Sequence, residues 1–189
     1  SEIRDLATEL GLINASKPDS QDICFIPNGN YKEFLEKKID KTPGRIVDTD
    51  GNTVGTHTGV YNFTIGQRKG LNLNGGSKEP IFVTSINPET KTVEVGHSKD
   101  LMHSVVIASS VNFLSSKKSK HSLKVSAKIR YHSKEAEAVV TRYSTYTEIV
   151  FNEPQRAITP GQAIVFYIGD EVVGGGIIEG IKNKVKIPA

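Results

Sequence analysis

The chain holds one cysteine, Cys24, inside the segment Lys17-Pro18-Asp19-Ser20-Gln21-Asp22-Ile23-Cys24-Phe25-Ile26-Pro27. A cysteine attacks or carries sulfur only as an accessible thiolate, and a free thiol ionises near ~8.5. Carboxylates such as Asp19 and Asp22 would disfavour thiolate if they lie close in space, and Lys17 would oppose them. Two readings of Cys24 stand side by side: a reactive thiol on a loop ahead of a helix, or a small buried hydrophobe. One cysteine excludes an internal disulfide framework and a cysteine-rich zinc site. No second histidine or carboxylate stands at metal-ligand spacing from His57, so no metal is expected.

Three further segments could bind rather than react. In Thr64-Ile65-Gly66-Gln67-Arg68-Lys69-Gly70-Leu71, two glycines bracket Arg68 and Lys69. Glycines let backbone amides turn toward an anion, and the cations add charge, which suits a nucleic-acid phosphate. The spacing does not match the phosphate-cradling loop G-x-x-x-x-G-K-[ST] of nucleotide-binding proteins. In Leu123-Lys124-Val125-Ser126-Ala127-Lys128-Ile129-Arg130-Tyr131-His132, alternation predicts Leu123 to Tyr131 at odd numbers on the core face. Lys124, Ser126, Lys128, Arg130 and His132 would then share the solvent face as a basic stripe. In Ala157-Ile158-Thr159-Pro160-Gly161-Gln162, Pro160-Gly161 fits the centre of a type II turn, and Gln162 enters the next strand with an amide able to meet a base edge. Each segment has a plainer reading: a basic turn, a solvated strand face, a hairpin.

These residues need elements to hold them. Ile3, Leu6, Ala7 and Leu10 recur on one helical face, with Ser1 as cap and Gly11 as stop. Asn30 and Glu33 read as a capping box for a second short helix carrying Tyr31, Phe34, Leu35 and Ile39. Beyond residue 42 the period changes from helical to alternating. Asp50-Gly51 and Asn87-Pro88-Glu89 mark hairpins, with further strands near 105–114, 123–132, 136–142, 146–151, 162–168 and 171–179. Gly169-Asp170 makes a tight turn, Gly174-Gly175-Gly176 predicts a bulge or close backbone contact, and residues 72–78 read as a mobile loop.

Many short strands predict small closed barrels. The expected fold is mainly β, with short N-terminal helices and the cysteine loop, then a small central β domain, then a C-terminal β-barrel. The boundaries expected are 1–40, 41–104 and 105–189. Lys and Arg number 24 against 21 Asp and Glu, a net charge of +3 that is compatible with nucleic acid without specifying it. No run approaches the roughly 18 apolar residues of a membrane span, and no secretory signal opens the chain. A cytoplasmic protein is expected. Ser1, not Met, begins the sequence within a helical pattern, which suggests a fragment.

Taken in order, Ser20 to Ile26, Gly55-Thr56-His57-Thr58-Gly59, Thr64 to Leu71, Ala157 to Tyr167 and Gly174 to Ile178 resemble the tRNA-specific 2-thiouridylases over nearly the whole chain. The resemblance implies an enzyme of three parts: a PP-loop ATP-pyrophosphatase domain, a small central β domain and a C-terminal β-barrel. It implies that ATP adenylates the C2 oxygen of the wobble uridine in certain tRNAs, and that a persulfide on Cys24 then displaces AMP to leave 2-thiouridine. It further implies tRNA contacts at Arg130, Tyr131 and Gln162; Arg68, Lys69 and Lys128 join them on charge. tRNA and a persulfide donor protein are the partners expected. Neither the Ser-Gly-Gly-Val-Asp-Ser type signature nor the second cysteine of the family occurs in these 189 residues, so no ATP site is expected in this chain, which would be inert alone. The alternative is a non-catalytic RNA-binding β-barrel module, which would leave Cys24 without a task. A cysteine hydrolase pairing Cys24 with His57 lacks an oxyanion-loop pattern.

Overall fold

The computed structural model describes residues 2–16, 34–35, 38–39, 42–75, 79–114 and 121–184. Cys24, most of the second helix from Asn30, residues 76–78 and Lys117 to Lys120 lie outside the described residues. The chain divides into two compact units, Ser1–Lys41 and Thr42–Ala189. In the first, helix α1 spans Glu2–Glu9, and Gly11 follows at φ +66°. That left-handed conformation is open to glycine and strained for other residues. Its apolar stripe packs on little: Ile3, Leu6 and Leu10 are all exposed.

The second unit holds two sheets. Strands β1 (Gly44–Val47), β2 (Thr53–His57), β3 (Phe82–Asn87) and β4 (Thr92–Gly96) form a four-stranded sheet in the order β2-β1-β4-β3. The expected Asp50-Gly51 hairpin forms because Asp48 Oδ1 accepts the amides of Asp50 and Asn52 at 3.0 and 2.8 Å, while Gly51 takes φ +86°. β1 also pairs with β4 in parallel, so this sheet is mixed. Its core is Ile46, Leu71, Val83, Val93 and Val95.

A 3-10 turn at Ser98–Leu101 leads into β5 (Met102–Phe113). β6 (Ser122–Lys128), β7 (Ala136–Arg142), β8 (Thr147–Arg156), β9 (Ala163–Ile168) and β10 (Glu171–Ile181) complete a closed six-stranded barrel in the order β10-β5-β8-β7-β6-β9. All its ladders are antiparallel. Closure leaves no free edge, and the interior is filled by Ile149, Phe151, Ile164, Phe166, Val173 and their neighbours. The triple glycine of β10 sits where the ladder slips register, and a Cβ on Gly174 or Gly175 would lie 2.6 Å from a carbonyl oxygen of the adjoining strand. The fold is mainly β as expected, but only one of the two sheets closes.

Strand β6 is shorter than its alternation predicts. The pairing with β7 stops at Ala127 and Ala136. Beyond it, Ser133 takes over the backbone: its amide and its hydroxyl both donate to the Arg130 carbonyl, at 3.1 and 2.8 Å, and the Arg130 amide donates back to the hydroxyl at 3.2 Å. A serine that satisfies backbone groups locally competes with the ladder. The expected basic stripe therefore ends at Lys128. Tyr131, expected on the core face, stands at the tip of the turn, 91% exposed.

Candidate nucleic-acid interface

Two turns meet at one end of the barrel. The Arg130–Ser133 turn follows β6, and the Ala157–Gln162 turn joins β8 to β9. The Arg130 guanidinium spans them: one Nη donates to the Ala157 carbonyl and, at 3.1 Å, to Thr159 Oγ1. The Thr159 hydroxyl in turn donates to the Ala157 carbonyl at 3.0 Å. Gly161 takes φ +83°, as a type II turn requires, and Gln162 N–H reaches the Thr159 carbonyl at 3.4 Å. Gln162 is further held by its carbonyl, which accepts the Ile178 amide at 2.8 Å, and its side chain is exposed. The structure thus brings Arg130 and Gln162 to one place, with Tyr131 beside Arg130 and stacked edge-on against His132 at 4.8 Å between ring centres.

Lys128 lies just ahead, on β6. Its ammonium is 3.6 Å from Glu135 Oε1 and 5.8 Å from the centre of the Tyr167 ring. Its charge is partly answered by the protein, unlike that of Lys124, which is exposed on the same face.

Arg68 and Lys69 belong to the small sheet. Their loop is bonded to itself and to β3. Gly66 N–H donates to the Val83 carbonyl at 2.8 Å, Val83 N–H to the Gln67 carbonyl at 2.9 Å, and Gln67 N–H to the Thr64 carbonyl at 2.9 Å. The Gln67 side chain accepts from Thr64 N–H and donates to the Lys69 carbonyl. The amides of Gly66 and Gln67, which glycine spacing suggested for an anion, face the protein instead. Arg68 and Lys69 themselves are exposed.

This loop and the Ala157–Gln162 turn are in contact. Gly66 has φ +87°, and a Cβ there would lie 3.3 Å from that of Ala157. Ala157 is buried, takes φ +55° and donates its amide to the Leu101 carbonyl at 2.8 Å. Alanine in the left-handed region left no mark in the sequence, so this junction was not legible there. Arg156 lies over the Phe82 ring at 5.0 Å, and Lys184 pairs with Glu94 at 2.7 Å. Between sheet and barrel is a cavity of about 170 Å³, lined by residues including Leu101, His103, Ile158 and Lys184. Burial pushes the His103 imidazole below its ordinary value, against the Asp100 carbonyl bond that raises it.

His57 is a buried structural residue. Its Nε2 lies 3.1 Å from the Lys91 carbonyl, its ring packs edge-on against Phe63, and burial lowers its pKa. Among the described residues, no group of three His, Cys, Asp or Glu could hold a metal ion. None of the described helices is long and apolar enough to cross a membrane.

The second unit is thus a small mixed sheet followed by a closed antiparallel barrel, and three family models match along the chain. Residues 32–97 match a tRNA methyl transferase PRC-barrel domain and residues 103–178 an aminomethyltransferase β-barrel domain, while residues 1–28 match a tRNA methyl transferase HUP domain. The chain is 50% identical over 181 residues to tRNA-specific 2-thiouridylase MnmA 1 of Caldanaerobacter subterraneus, a match covering 94% of this chain and 49% of that protein. It is 46% identical to the MnmA of Acetivibrio thermocellus and 45% identical to that of Carboxydothermus hydrogenoformans, each over 181 residues, with 94% of this chain and 50% and 49% of those proteins covered. The chain belongs to the tRNA-specific 2-thiouridylase family, and it spans about half the length of these curated relatives.

Proposed function

We propose that this chain contributes the sulfur-carrying cysteine and the tRNA-gripping β modules of a cytoplasmic tRNA 2-thiouridylase. The observation that carries the binding half is the meeting of Arg130 and Gln162 at one barrel end, with Tyr131 extended into solvent beside them. A cation able to fork to phosphate oxygens, an exposed ring and an amide able to meet a base edge are what RNA recognition uses. Arg68, Lys69 and Lys128 add charge that steers the polyanion without reading it. The small sheet, 41–104, and the barrel, 105–189, lie within one compact unit and would present their cations to the RNA together.

The chemical half rests on family membership and on the Cys24 segment. ATP, bound by a HUP domain of which residues 1–28 match a part, would transfer its AMP group to the C2 oxygen of uridine, with pyrophosphate as the leaving group. A persulfide sulfur on Cys24, loaded by a donor protein, attacks C2, and AMP departs with that oxygen. A second cysteine outside this chain then attacks the Cys24 sulfur as a thiolate, which breaks the S–S bond, forms a disulfide with Cys24 and leaves the outer sulfur on C2 as 2-thiouridine. The chain alone does not turn over.

A thiolation assay on unmodified tRNA, with ATP and a persulfide donor, tests this reading. The chain alone should give no 2-thiouridine. Within an enzyme carrying the ATP-binding domain, Cys24→Ser should abolish product while tRNA binding persists. Turnover by the chain alone, or full activity of the Cys24→Ser enzyme, would overturn it.

A further inference from the structure

We propose that Thr159 is the positioning residue of the RNA-contacting barrel end, aiming the Arg130 guanidinium through its hydroxyl and holding the backbone at Gln162 through its carbonyl. The proposal rests on the reading of that end as the tRNA contact, and it adds a residue to which that reading gives no role.

Arg130 is attached to the barrel by a backbone turn whose bonds involve only its own amide and carbonyl. The direction of its guanidinium is set by what that group meets, and it meets the Ala157 carbonyl and the Thr159 hydroxyl. The hydroxyl can accept from Arg130 because its own proton is directed to the Ala157 carbonyl, 3.0 Å away. The three groups form a closed triangle in which each hydrogen has one destination. Arg130 commits one of its two terminal nitrogens to the triangle, and guanidinium carries five N–H donors in a fixed fork. The donors outside the triangle thus keep a fixed direction.

The same residue also holds the Gln162 backbone. The Thr159 carbonyl receives the Gln162 amide across the turn, and Gln162 begins the ladder to β10 through Ile178. Ala157 anchors the arrangement from below. It is buried in the left-handed region, tied to the Leu101 carbonyl and backed by Gly66. A conformation that unfavourable for alanine persists only where its surroundings determine it. Thr159 therefore stands between a rigid base and the Arg130 guanidinium, in the turn that leads the backbone to Gln162. Only a β-hydroxyl can accept from Arg130 and donate to Ala157 at once. Valine keeps the shape and loses both bonds, and serine keeps both.

The test is a tRNA titration across a salt series with Thr159→Val, Thr159→Ser, Arg130→Ala and the Arg130→Ala/Thr159→Val double variant. Loss of a charge-assisted hydrogen bond predicts that Thr159→Val weakens tRNA binding by about three- to tenfold. Because threonine carries no charge, the slope of log affinity against log salt should not change, whereas Arg130→Ala should lower it by about one. Thr159→Ser should bind like the wild type. The double variant should bind no more weakly than Arg130→Ala by more than about twofold, since Thr159 acts chiefly through Arg130.

Amide hydrogen exchange without RNA provides the second readout. Thr159→Val should speed exchange at Gly161 and Gln162 about tenfold, with β5 and β8 unchanged. Unchanged exchange in Thr159→Val, or effects of Thr159→Val and Arg130→Ala that multiply in full, overturns the positioning role. A wild-type chain that fails to bind tRNA would overturn the RNA reading, while the exchange data would still decide whether Thr159 orders the turn.

Discussion

The Arg68-Lys69 loop and the Arg130 turn look alike in sequence, each with cations beside a tight turn, yet the protein uses them differently. In the first, backbone and Gln67 bonds close the loop on itself and on β3, so the cations stand out without being held. In the second, the cation itself is the tie: Arg130 bridges two turns through Ala157 and Thr159. Charge in a sequence marks where a cation is, but the acceptors around it decide whether it is loose or aimed. A loose cation raises affinity for any polyanion, and an aimed one adds geometry.

The junction beneath both regions gives the largest expected effect. Gly66 and Gly161 have similar left-handed φ values, but a Cβ on Gly66 meets Ala157 at 3.3 Å while one on Gly161 meets nothing within 4 Å. Gly66→Val should lower unfolding free energy by about 2–3 kcal/mol, adding crowding to left-handed strain. Gly161→Ala should cost only the strain, about 1 kcal/mol. Urea denaturation of both variants checks this, and equal losses would mean the contact between sheet and barrel carries no energy.

Next comes affinity. Arg130→Ala should weaken tRNA binding by about tenfold or more, and Arg68→Ala by only a few-fold, each lowering the salt slope by about one. Equal losses would erase the difference between an aimed and a loose cation. Tyr131→Ala should leave stability within about 0.5 kcal/mol, because the ring is solvent-exposed, yet reduce tRNA affinity about fivefold or more through lost stacking. Thermal melts and titrations on one preparation separate the two.

The smallest effect is on pH. Burial holds the His57 and His103 imidazoles below the ordinary 6.5. Such a histidine binds fewer protons folded than unfolded, so its stabilisation is in place above about 6.5 and is lost as the pH falls below that toward the folded value. The melting temperature should therefore drop on acidification from about pH 7.5 to 5.5, and His103→Gln should shrink the drop. An identical pH profile for that variant would show that His103 does not cause the drop.

What could be read in advance follows from how local each signal is. Asp48, Gly51, Gly161 and Gly169 act on their own few residues, and their turns stand where the spacing predicts them. The barrel's alternation held for Val125 and Ala127, both buried, and failed at Tyr131, where Ser133 captures the Arg130 backbone. Ala157 was illegible because its conformation is imposed by Leu101, Arg130 and Gly66, all far away in sequence. The pairing of Arg130 with Thr159, 29 residues apart, is of the same kind.

The decisive measurement is a titration of unmodified tRNA against the wild-type chain and its Arg130→Ala and Gln162→Ala variants, repeated from low to moderate salt. Binding should weaken steeply with salt, with a shallower slope for Arg130→Ala and an unchanged slope with lower affinity for Gln162→Ala. Three superimposable curves would contradict it.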